Sequence, residues 1–159
     1  MRSRTSQWFE CKIKYEKMMD DGVQKKVTEL YVVDALSFTE AESSIIEEQS
    51  AFISGEFEVT DIKKAKYTEI FFSDKESDDR FYKVKIQFIT IDEKTDKEKL
   101  TNVLYIVQAN SLETAVKYIS DIMGKTLQDY KSAKVEETTI MDVYEHTATT
   151  VNTPKEEED

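Results

Sequence analysis

The sequence predicts an α+β fold: two β-β-α-β units joined in one pseudo-symmetric domain with mainly antiparallel sheet. Three repeated blocks, one at a shift of 74 and two at 73, carry two of the observations behind that expectation. Leu30-Tyr31-Val32-Val33-Asp34-Ala35-Leu36-Ser37-Phe38-Thr39-Glu40-Ala41 returns 74 positions later as Leu104-Tyr105-Ile106-Val107-Gln108-Ala109-Asn110-Ser111-Leu112-Glu113-Thr114-Ala115, with six of twelve positions identical. Trp8 to Tyr15 matches Phe81 to Phe88 at a shift of 73, and Thr68-Glu69-Ile70-Phe71 matches Met141-Asp142-Val143-Tyr144 at the same shift. A third observation is the change of apolar period, from two ahead of each long block to helical spacing within it. A duplicated unit has to bury its apolar face against its copy, so such a pattern constrains architecture more than any single element does.

Residues 8–15 alternate, with Phe9, Cys11, Ile13 and Tyr15 on one face and Trp8, Glu10, Lys12 and Lys14 on the other. That is a half-buried strand. Asp20-Asp21-Gly22 supplies a tight turn in which the glycine takes positive φ, and the return strand runs from about Lys26 to Ala35. Leu30 to Val33 is apolar on both faces, as in a central strand. Ser37 and Glu40 then form a capping box. The helix it starts carries Phe38, Ala41, Ile45 and Ile46 on one stripe, runs to about Ser50 and is broken by Ser54-Gly55. Phe57 to Phe72 reads as extended chain, one strand or two joined by a bend near Lys63-Lys64.

The second unit keeps this order. A strand over 81–91 leads through the charged loop 92–99 into a strand over 100–109. Ser111 caps a helix with Leu112, Ala115, Ile119 and Met123 on one stripe and Gly124 at its end. Extended chain follows from about Tyr130 to Tyr144. The domain therefore spans 7–144, with repeats at about 8–72 and 81–144. Residues 145–159 read as a disordered acidic tail ending in Glu156, Glu157, Glu158 and Asp159.

Composition narrows the function. A 159-residue chain with 17 aromatic residues can build a real core, while 35% charged residues keep its surface wet. A net charge of −11 disfavours bulk electrostatic binding to nucleic acid or anionic membrane, so any such contact needs a local basic strip. No apolar run approaches the roughly 20 residues of a membrane span. The N-terminus lacks the apolar core of a signal peptide, and the single cysteine fits a reducing compartment. These point to the cytoplasm. Enzyme chemistry is not expected: His146 lies at the start of the tail, Cys11 faces inward, and three scattered glycines form no phosphate loop. Asp92-Glu93 and Glu136-Glu137 are ordinary solvated pairs rather than metal sites. No cofactor is implied.

A binding surface is the better expectation. Trp8, Lys12 and Lys14 share one strand face, and Phe81, Lys83 and Lys85 share the matching one, so a ring followed four residues later by a lysine occurs twice. Rings that stack bases beside lysines that neutralise phosphates suit sequence-tolerant binding of single-stranded nucleic acid. Tyr31 and Tyr105 add two more candidate rings, and the acidic end would contact replication or host proteins. The competing expectation is an acidic protein-interaction module, or a mimic of DNA charge that inhibits a host protein, acting through Glu40, Glu42, Glu47 and Glu48. Self-assembly is left open.

The chain also resembles an uncharacterised family, a domain of unknown function found in Bacteroides-type bacteria, their phages and mobile elements. The resemblance rests on Trp8-Phe9-x-Cys11-Lys12-x-Lys14-Tyr15, on Val33-Asp34-Ala35-x-Ser37-Phe38-Thr39-Glu40-Ala41-Glu42 and on Gly55-Glu56-Phe57-x-Val59. It continues in Ile91-Asp92-Glu93-Lys94, Val107-Gln108-Ala109 and Glu137-Thr138-x-Ile140-Met141-Asp142-Val143. It implies no functional residue. It implies a setting, the cytoplasm of a bacterium or an infected host, and with it phage-type replication or recombination.

Overall fold

A computed structural model gives the fold and describes residues 1–146. The acidic end from Glu156 to Asp159, with the rest of 147–159, lies outside the described residues. Nine strands and two helices follow one another among them: β1 Arg2–Thr5, β2 Trp8–Met18, β3 Gln24–Asp34, α1 Phe38–Ser50, β4 Phe57–Lys64, β5 Glu69–Phe72, β6 Arg80–Ile91, β7 Glu98–Ala109, α2 Leu112–Met123, β8 Tyr130–Glu137 and β9 Ile140–Tyr144. Two compact units result. The early unit comprises 6–65 and 139–146, and the late unit 1–5 and 66–138.

The early unit holds a four-stranded sheet in the order β4-β2-β3-β9, and the late unit a five-stranded sheet in the order β1-β5-β7-β6-β8. Both sheets are mixed. The hairpins β2–β3 and β6–β7 are antiparallel, whereas β9 joins β3 and β5 joins β7 in parallel. The extended run 57–72 is thus two strands in different sheets: β4 pairs with β2, and β5 leaves to pair with β7. The run 130–144 divides the same way, β8 staying beside β6 and β9 returning to β3.

Local chemistry explains the turns and caps. Gly22 has φ of 82°, and the Met19 N–H donates to the Val23 carbonyl at 2.9 Å, closing the first hairpin. In the second, Asp96 takes φ of 58° and Asp92 accepts from the Lys94 N–H at 2.9 Å, an Asx turn that suits a short polar side chain. Ser37 and Ser111 accept from the N–H groups of Glu40 and Thr114, both at 3.1 Å. Glu40 reaches back to the Leu36 N–H at 3.2 Å, which completes a capping box shifted by one residue. α1 ends at Ser50, ahead of the Ser54-Gly55 break.

In the early unit, Phe9, Cys11, Ile13, Tyr31 and Val33 pack under Ala41 and Ile45 of α1. In the late unit, Val84, Ile86, Tyr105 and Val107 pack under Ile119 and Met123 of α2. The buried stripe of α1 runs through Ala41, Ser44, Ile45 and Gln49, leaving Phe38 55% and Ile46 41% exposed. Leu112 is likewise exposed on α2. Each lies at the edge of its apolar arc, where the roughly 100° step of a single residue carries a side chain off the sheet.

Glu145 and His146 are not the start of a loose tail. The His146 N–H donates to the buried Asp34 carboxylate, and His146 Nε2 meets Glu48 Oε1 at 2.5 Å. Parallel pairing of β9 with β3 brings residues 145–146 to α1, a long-range consequence that composition does not carry.

Candidate nucleic-acid interface

In each unit the sheet face opposite the helix is where lysines and strand alternation coincide. Residues directly opposed across an antiparallel pair share a face, so the registers place each charge. In the early unit, Lys12 lies opposite Asp61, Lys14 opposite Glu58, and Glu10 opposite Lys63. Glu16 lies opposite Lys26 across the hairpin. Every lysine there has a carboxylate across the strand, and the face is a neutral checkerboard.

The late unit differs. Lys83 lies opposite Glu136, but Lys85 lies opposite Lys134 and Gln87 opposite Lys131. Four lysines therefore share this face with two glutamates, Glu136 and, opposite Ile91 at the hairpin end, Glu98, and Lys134 reaches Glu136 at 3.0 Å. Gln87 and Asn102 add an amide pair at 2.9 Å. Like charges directly opposed on a sheet are destabilising, and an anion bound between them relieves the cost. Lys131 and Lys134 are both exposed, and Lys83 and Lys85 are half-buried.

Lys131 and Lys134 were not legible as a pair. A spacing of three puts two strand residues on opposite faces. Here the register shifts between Lys85 and Ile86, leaving Ala133 as the extra residue of a bulge, and both lysines face the same way.

The rings expected to stack bases are buried. Trp8 is 1% exposed and Phe81 4%, each at the end of its hairpin where both sheet faces are covered, as Val32 and Ile106 at 0% also show. Tyr31 and Tyr105 lie on the helix-covered face. Tyr31 stacks on Tyr144 with centroids 5.8 Å apart, and Tyr105 meets Phe71 at 5.5 Å. Tyr31 also donates to Glu29 Oε1 at 3.0 Å, beside Tyr15 at 2.8 Å. Burial first and the Glu29 contact second push the Tyr15 phenol up to about 12 and raise the Tyr31 phenol as well. None of these four rings offers a free π-face.

Other candidate groups have structural partners. Glu136 is paired with Lys134, and Asp92 is used in its turn. Among the described residues no three His, Cys, Asp or Glu side chains gather as a metal site. Cys11 is fully buried, and burial, followed by the charges of Asp61 and Glu10, pushes its thiol up to about 12. A thiol held protonated and out of solvent is inert. Native protein at pH 8 will accordingly leave an aromatic disulfide reagent uncoloured for hours and titrate one thiol once denatured; rapid native reaction would show that β2 opens.

The family model described as Domain of unknown function (DUF4494) matches residues 7–146. The chain belongs to that family. DUF4494 thus covers both hairpins, both helices and the exchanged strands, with β1 outside its bounds. No curated protein and no solved structure matches the chain. No helix among the described residues is long and apolar enough to cross a membrane.

Proposed function

We propose that this DUF4494 chain is a non-enzymatic protein that binds single-stranded nucleic acid through its phosphates, with Lys83, Lys85, Lys131 and Lys134 as the contacts. The observation that carries the reading is the direct Lys85–Lys134 opposition on the sheet face turned away from α2, in a chain whose net charge is −11. Charge is also unevenly divided. Within the described residues the late unit has 14 Lys+Arg against 14 Asp+Glu, and the early unit 7 against 15. The lysine face therefore sits on the neutral half, where long-range repulsion of a polyanion is least. Base stacking has no part in this reading, and binding should be weak and insensitive to sequence. A bacterial or phage cytoplasm, and a role in replication or recombination, belong to the same proposal.

The reading treats the units as copies of one ancestral piece. Tyr31 pairs with Asp142 and Tyr105 with Glu69, each at the shift of the sequence repeat. Asp34 accepts from the His146 N–H as Gln108 accepts from the Ser73 N–H. Divergence then falls on β4 and β8, where Asp61 and Glu58 correspond to Lys134 and Lys131.

The test is fluorescence anisotropy with labelled oligo-dT over a salt series. Four phosphate contacts predict a slope of log K against log salt of about −3. The double change Lys85→Glu with Lys134→Glu should weaken binding at least about tenfold, whereas Lys12→Glu with Lys14→Glu should change it less than about twofold. No binding at tens of micromolar protein in low salt removes the proposal, and equal losses from both pairs remove the site.

A second reading draws on the early unit's excess of eight carboxylates: a module that contacts basic proteins, or a DNA-charge mimic that inhibits a host protein. Of its candidate residues, Glu40 is tied to Leu36 and Glu48 to His146, which leaves Glu42 and Glu47 outward.

A further inference from the structure

The early unit has a second surface that the lysine face does not explain. A cleft of about 420 Å³ lies between the first two turns of α1 and the middle of β4, lined by Phe38, Thr39, Glu42, Val59, Thr60, Asp61 and Ile62. Its composition is directional. Phe38 stands 55% exposed, its ring in a T-shaped contact with Phe9 at 5.0 Å, so the ring is braced on one side and reaches solvent on the other. Val59 and Ile62 supply apolar wall, and Glu42, one helical turn on from Phe38, supplies the charge. No lysine or arginine lines the cleft, and Glu42 carries no ion pair among the described residues.

The edge strand itself is blunted. β4 is the outermost strand of its sheet, and its register against β2 shifts between Lys12 and Ile13, so Thr60 bulges out. A bulge interrupts the backbone row that an added strand would need. A partner must therefore enter with side chains rather than extend the sheet.

We propose that this cleft receives an arginine side chain from a basic segment of a partner protein. The guanidinium would lie against the exposed ring of Phe38, its donors reaching Glu42 and its methylene stem lying along Val59 and Ile62. A cation against a ring, paired with a carboxylate and carried on an apolar stem, is a combination that arginine supplies and a neutral or acidic side chain does not. The early unit's eight-charge acidic excess draws such a segment in over the Debye length. This site rests on α1 and β4 alone and is independent of the nucleic-acid proposal.

The experiment uses the full chain and three ten-residue Gly/Ser peptides carrying alternate arginine, lysine or citrulline, titrated by amide chemical shifts in low salt. Shifts should centre on Thr39, Glu42, Thr60 and Asp61. Arginine should bind best, lysine several-fold more weakly, and citrulline, which keeps the shape without the charge, not measurably. Glu42→Gln and Phe38→Ala should each weaken the arginine peptide by at least about fivefold. Glu42→Gln is an exposed change that leaves folding intact, so its result stands even where Phe38→Ala perturbs the core. Equal binding of citrulline, unchanged affinity in Glu42→Gln, or shifts elsewhere would overturn the proposal. So would concentration-dependent shifts of these amides without peptide, which would make a second copy the occupant.

Discussion

Replacing Trp8 with alanine will destabilise the fold by about 3–5 kcal/mol and leave oligo-dT affinity unchanged at temperatures where the variant is folded. The indole is among the largest fully buried side chains, 1% exposed, and its removal leaves a cavity that the surrounding strands cannot close. Phe81 holds the matching place in the late unit at 4% exposure, and Phe81→Ala should behave alike. Denaturant midpoints measured with the Lys85→Glu, Lys134→Glu pair as the contrasting case separate two kinds of residue. The aromatic changes should move stability alone, and the lysine changes binding alone. A Trp8→Ala protein with wild-type stability and lost oligonucleotide binding would return the ring to the interface and displace the phosphate-only reading.

The burial of Trp8 was partly legible. Alternation put it on the face opposite Phe9 but could not say whether that face is wet. Leu30 to Val33 is apolar on both faces, and Trp8 pairs with Asp34, just beyond that segment. A strand end covered on both sides covers its neighbours too, so the ring belonged with the core. Hairpins, caps and helices could be read because their causes lie within a few residues: Gly22 at positive φ, Ser37 and Ser111 at N-caps, apolar period within each element. The destinations of β5 and β9 could not. Only four residues, 65–68, separate β4 from β5, and their chemistry does not say which sheet the next strand joins. Glu69 meets Tyr105 and Asp142 meets Tyr31 across long sequence separations, and such pairings depend on which edges the rest of the fold leaves open. The lysine face was half-read for a related reason. Lys83 and Lys85 follow from alternation, whereas Lys131 and Lys134 share their face through a bulge that breaks the period.

Strand exchange makes its own prediction. Ending the chain after Thr138 leaves 6–65 intact yet removes β9 from the early unit's sheet, and the expected result is collapse of that unit's cooperative stability. Ile140 and Val143 are buried at 7% and 9% exposure, and burial of such side chains contributes about 1.5–3 kcal/mol each. Tyr31 loses its stacked partner Tyr144, and buried Gln49 loses the Tyr144 hydroxyl it donates to at 3.1 Å. Buried Asp34 loses the His146 N–H. Each newly unpaired buried polar group costs about 1–3 kcal/mol. The sum is on the order of 5–10 kcal/mol, the size of a domain's whole stability. Hydrogen exchange should show protection lost at Leu30 to Val33, while the β6–β7 ladder, whose exchanged strand β5 is still present, keeps most of its own. A synthetic peptide of residues 139–146 added in trans should restore protection to β3 in proportion to its concentration, because the slot it fills is a strand position rather than a loop. Undiminished protection of β3 in the shortened chain would mean that the β2–β3–β4 sheet and α1 suffice alone, and that β9 contributes packing without holding the unit together.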